Sequence, residues 1–179
     1  MRTLCAAVAM AAVLVGSSAP LAAERAAVPP DFSLRAEYYP PIPNAPSWAP
    51  GAEPPGLKRW HPWTLTLGAD GRAEQESNRT VPGKKKIVRK SVRVSSRDLQ
   101  RLVTEVRRAN FYLLAPEYAF EVTHHPTLVL RIAMEGRSHE VTIYGPDRLR
   151  GQPEVAAFLR VWNETLRIVP ALNPGQRAD

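Results

Sequence analysis

Few residues in this chain can do covalent chemistry, and their spacing does not favour it. Cys5 is the one cysteine, which excludes a disulfide framework and a thiolate metal cluster. No Gly-x-Ser-x-Gly elbow presents a serine nucleophile. Gly83-Lys84-Lys85 lacks the preceding glycine that a phosphate-cradling loop requires. His139-Glu140 opens like a zinc-binding helix, but Val141-Thr142-Ile143 follows without a second histidine and reads as strand. His124-His125 is the one local histidine pair. Adjacent residues of an extended chain point to opposite sides, so a shared metal needs His61 or His139 and a carboxylate such as Glu117 or Glu121 folded in beside them. Paired catalytic carboxylates would have to come from Glu117, Glu121, Glu135 and Glu140. A metal- or carboxylate-dependent enzyme built on the His124/His125 loop is therefore one reading, and a surface loop without a metal role is the plainer one. No cofactor is implied.

Positive charge is the chemistry that this sequence concentrates. Its 179 residues hold 24 Lys and Arg against 17 Asp and Glu, a net charge of +7. Residues 59–110 carry 13 basic and five acidic side chains, whereas residues 111–170 carry six and seven. The densest stretch is Lys84, Lys85, Lys86, Arg89, Lys90 and Arg93. In a strand, Arg89 and Arg93 share the face opposite Val88 and Val92, about 13 Å apart. They form a cationic ridge able to follow a line of negative charge. The competing explanation is an edge strand whose lysines discourage self-association. Arginine forks and lysine point charges both suit phosphate or carboxylate groups.

The ends of the chain limit where that charge acts. Met1-Arg2-Thr3 is a short basic start, Leu4–Val15 an unbroken apolar run of twelve residues, and Gly16 to Ala23 a region rich in small residues. This is the plan of a secretory signal peptide over residues 1–23, and the run is too short for a comfortable membrane span. Cys5 sits at the start of the apolar run and not after it, so a lipid-attachment cysteine is not indicated, and the processed chain is expected to have no disulfide. Export directs the expected partner away from nucleic acid and toward an anionic envelope component, such as lipid head groups or polysaccharide, or an acidic protein. Residues 24–58 hold nine of the 18 prolines and read as a Pro-rich arm or linker. Phe32, Tyr38, Tyr39, Ile42 and Trp48 give part of it a reason to lie along a domain. Residues 171–179 read as a disordered tail. Asn78-Arg79-Thr80 and Asn163-Glu164-Thr165 are glycosylation sequons that matter only in a glycosylating host.

Residues 59–170 carry the periodicity of a folded domain. Trp63, Leu65 and Leu67 alternate with Thr64 and Thr66, as in a half-buried strand. Gly68-Ala69-Asp70-Gly71 is turn chemistry with Gly71 free to take positive φ. Residues 72–79 read as a polar strand, Val81-Pro82-Gly83 as a turn, and residues 86–94 as a third strand whose apolar face Lys90 interrupts. Ser95 or Ser96 caps a helix with Leu99, Leu102, Val103 and Val106 on one face. A loop covers residues 111–125. Leu128, Leu130, Ile132 and Met134 alternate as a fourth strand, and residues 140–144 form a fifth after a turn at Glu135-Gly136-Arg137. Pro153 opens a last helix with Val155, Phe158, Leu159, Trp162, Leu166 and Val169 in one stripe. The expected architecture is α+β: a two-layer domain with an antiparallel five-stranded sheet, in the order β-β-β-α-β-β-α, and two helices on one face.

Over most of residues 60–168 the pattern resembles the family called domain of unknown function 6438. The similarity lies in Leu65-Thr66-Leu67 with Asp70-Gly71 at its turn, Asp98-Leu99 opening the helix, and Ala109-Asn110-Phe111-Tyr112 leaving it. It continues through Tyr118, Thr123 and Pro126 in the loop and the final helix from Pro153 to Leu166. Members often carry Cys-Pro before the first strand, where this chain has His61-Pro62-Trp63, and an acid where it has His124. The resemblance implies a small exported α+β domain and no particular activity. The functional expectation is an exported, non-enzymatic binding domain whose basic hairpin, residues 84–93, is the contact surface. A scaffold with no ligand of its own is a further alternative.

Overall fold

Alternation of apolar and polar side chains produces most of the sheet. In the computed structural model, which describes residues 27–41, 62–81, 84–121 and 123–169, seven strands form one sheet: β1 (Ser33–Tyr39), β2 (Trp63–Gly68), β3 (Arg72–Val81), β4 (Lys84–Arg93), β5 (Glu117–Ala119), β6 (Thr127–Met134) and β7 (Arg137–Tyr144). The helices are α1 (Ser96–Arg108), the four-residue α2 (Pro146–Leu149) and α3 (Pro153–Ile168), with a 3-10 turn at Phe111–Leu113. The expected signal segment, the tail and the Pro82-Gly83 turn lie outside the described residues, as does most of the expected arm.

The sheet order is β4-β3-β2-β1-β6-β7-β5. Every pairing is antiparallel except β5 with β7, which is parallel. The fold is α+β, but the expectation of a five-stranded antiparallel sheet with two helices is corrected to a seven-stranded mixed sheet with three. The additional central strand comes from the expected arm. Pro29-Pro30 and Pro40-Pro41 bracket β1, whose seven residues contain no proline. Those residues alternate, with Leu34, Ala36 and Tyr38 buried and Arg35 between them exposed. β1 sits between β2 and β6, pairing Ala36 with Leu65 on one side and Leu130 on the other. β5 lay hidden in the expected loop because three residues are too few to show a period.

The row Ser77, Trp63, Tyr38, Leu128, Ile143 runs across one face in register. α1 and α3 close over this face. Trp162 of α3 stacks on Trp63 at 5.5 Å, Trp63 lies 6.0 Å from Tyr38, and Phe158 continues the series toward Phe111. These rings and the buried Leu99, Leu102, Val103 and Val106 of α1 belong to one core. Ser95 caps α1 as its spacing predicts: its Oγ accepts the Asp98 N–H at 3.1 Å and donates to Asp98 Oδ2 at 2.7 Å. Arg167 of α3 reaches Asp98 at 2.9 Å and Glu164 at 2.7 Å, tying the two helices at their exposed ends. Gly71 takes φ +79°, and a Cβ there would meet the Val94 carbonyl oxygen at 2.5 Å. The β6–β7 hairpin turns through Glu135 and Gly136, both at positive φ, the signature of a type I′ turn. Asp31 holds that turn, its carboxylate accepting the N–H of Glu135 at 3.0 Å and of Gly136 at 2.7 Å.

Candidate functional site

β4 is the outermost strand on its side of the sheet and carries six cations and no acid among ten residues. It pairs with β3 from Arg72↔Arg93 through Val81↔Lys84 without a break in register. Lys84, Lys85 and Lys86 stand opposite Val81, Thr80 and Arg79, and their side chains lie outside the described residues. Arg89 and Arg93 share the open face of the sheet, as strand alternation requires. Lys90, opposite the buried Gln75, belongs to the helix-covered side and is nonetheless exposed. Arg89 and Arg93 thus stand together on one face of β4, and Lys90 on the other.

The electrostatics of these residues differ one by one. Arg89 donates from Nε to Glu76 Oε2 at 3.0 Å across the strand pair, with its side chain 75% exposed. An ion pair so accessible to water contributes little and leaves most of the guanidinium open to solvent. Arg93 stands opposite Arg72, whose own acid is Glu74 at 2.8 Å. Ile87 is 46% exposed, an apolar side chain amid this charge.

The three described histidines have other occupations, and His61 lies outside the described residues. The His125 ring packs edge-on against Phe120 and Tyr144, with Nδ1 3.3 Å from Asp147. His124 takes φ 72° and pairs its Nδ1 with Thr123 Oγ1 at 2.8 Å. His139 packs against Phe111 and Tyr112, and its Nε2 lies 2.9 Å from the Leu114 carbonyl. Among the described residues no three of His, Cys, Asp and Glu come together as a metal site. The four carboxylates sit on two paired strands, a turn and a loop. Glu117 is on β5, Glu140 on β7 and Glu135 at the β6–β7 turn, where Arg107 and Arg137 hold it; Glu121 is exposed in the loop after β5.

One polar cluster escaped the sequence reading because it sits on β1. Glu37 receives hydrogen bonds from Arg35 Nε and from the Tyr39 hydroxyl. Burial pushes the Glu37 carboxyl up, but those two donors outweigh it and hold it below its ordinary range. A carboxylate so engaged is a poor proton acceptor. The alternation of Arg35, Glu37 and Tyr39 was the available signal, masked by the surrounding prolines. No protein-family model matches the chain, and no curated protein matches it. The resemblance to domain of unknown function 6438 therefore rests on the residues quoted for it.

Proposed function

We propose that the chain is an exported, non-enzymatic binding domain whose basic edge strand β4 contacts an anionic envelope component or an acidic protein. The observation that carries this reading is the six-cation, acid-free composition of a strand at the boundary of the sheet. Placement at an edge keeps such charge near a partner and away from the core. The twelve-residue apolar run behind a basic start supports export. Among the described residues no helix is long and apolar enough to cross a membrane.

The test is cross-linked capture from the native envelope fraction at low and high salt, with the parent chain and a Lys85→Glu/Arg89→Glu/Arg93→Glu variant. The parent is expected to capture a partner at low salt and release most of it at high salt. The variant is expected to capture at least about tenfold less while keeping its circular dichroism spectrum. Equal capture by both chains would remove β4 from the functional account.

A further inference from the structure

Building on the binding role assigned to β4, we propose that its partner is an acidic protein segment that adds to the sheet as an extended strand along the free edge of β4.

The phase of the edge follows from one hydrogen bond. Val94 N–H donates to Gly71 O at 2.8 Å, directly continuing the β3–β4 register. Antiparallel pairs alternate between positions that exchange both backbone bonds and positions whose backbone groups point away. Val88, Lys90 and Val92 therefore turn their N–H and C=O groups toward β3. Ile87, Arg89, Ser91 and Arg93 turn theirs outward, where the described residues contain no further strand. Natural sheets blunt such an edge by shortness, a bulge, proline or charge, and charge, which repels like strands and admits acidic ones, is the device β4 carries. The opposite edge uses shortness, since β5 has three residues. β4 has ten, an unbroken register and no proline.

The charge pattern selects the occupant. A second copy of β4 brings six cations against six and is repelled. An acidic strand meets Arg89 and Arg93 with the side chains it sends to the open face, and Lys90 with those it sends to the other. Cations split between two faces suit a ligand whose own side chains alternate. A flat anionic surface reaches one of those faces and leaves the outward backbone groups unused. Exposed Ile87 gives the incoming strand an apolar contact in the same row as the outward-facing arginines.

The probe is a fluorescein-labelled nine-residue peptide in which Glu-Glu pairs alternate with Val-Thr pairs, so that each face of the strand carries acid. Its twin replaces every Val and Thr with Pro, keeping the charge and losing the capacity to pair as a strand. The purified chain at low salt is expected to bind the first peptide at least about tenfold more tightly than the twin. Bound peptide is expected to slow amide exchange at Ile87, Arg89, Ser91 and Arg93. Ser91→Pro removes an outward N–H without touching β3 or the net charge. It is expected to weaken binding at least about tenfold with an unchanged melting temperature. Equal binding of both peptides, with no exchange protection at the four amides, overturns strand addition. In that case, if Arg89→Glu/Arg93→Glu still abolishes binding, the electrostatic role of β4 survives. If that variant also binds normally, both readings fall.

Discussion

Ser77 illustrates how much one atom can cost inside this sheet. Its residue is fully buried, opposite Trp63, and its hydroxyl has no hydrogen-bond partner. A buried polar group without a partner carries a desolvation penalty of about 1–3 kcal/mol. Ser77→Ala removes the hydroxyl and keeps the backbone, so it is expected to stabilise the fold by about 1 kcal/mol. Urea denaturation is the measurement, and a lower midpoint than the parent's would contradict the assignment. Other single residues were legible in the sequence because their roles are local. Ser95 finds its partner three positions on, and the positive φ of Gly71 belongs to its own turn. The Arg89–Glu76 pair was not legible, because the register of two strands decides which acid stands across from that arginine.

At the scale of elements, β1 changes where the domain begins. The sequence places the folded unit at residues 59–170, yet Leu34, Ala36 and Tyr38 fill the centre of the core from outside that span. A chain starting at residue 59 leaves Leu65 of β2 and Leu130 of β6 without the strand between them. It is expected to show no cooperative thermal transition by circular dichroism, whereas a chain starting at residue 27 is expected to melt cooperatively. A cooperative transition in the shorter chain would mean that β2 and β6 can close on each other. The two long helices and strands β2, β4, β6 and β7 were readable because each repeats its period several times. β1 was obscured by proline counting over a wide window, and β5 and α2 are shorter than any period can register.

Over the whole molecule, anchored carboxylates make the fold sensitive to acid. The N–H groups of Gly136 and Glu135 hold Asp31 below its ordinary range, as Ser95 and then Arg167 do for Asp98. Arg107 lowers Glu135, and Arg167 lowers Glu164. A carboxylate depressed in the folded state contributes stability above its unfolded pKa and loses that contribution as pH falls through the folded value. The urea midpoint is therefore expected to be flat near neutrality and to fall below about pH 4. Arg167→Met, which leaves Asp98 to Ser95 and Glu164 to the more distant Arg101, is expected to make that fall shallower, and an unchanged slope would count against the network. The charge run of the candidate site was plain in the sequence. An edge strand was one explanation open for it, whereas the full strand order was not legible, because it depends on where β1 inserts.

The Asp31 clasp and the strand beside it also set an order of events. β1 is synthesised before every other strand, yet its flank toward β6 and the turn that Asp31 secures come about a hundred residues later. Until Met134 has emerged, the earliest part of the sheet has nothing to close it on that side. Under the proposed export, such late closure would keep the chain open for threading through a translocation pore.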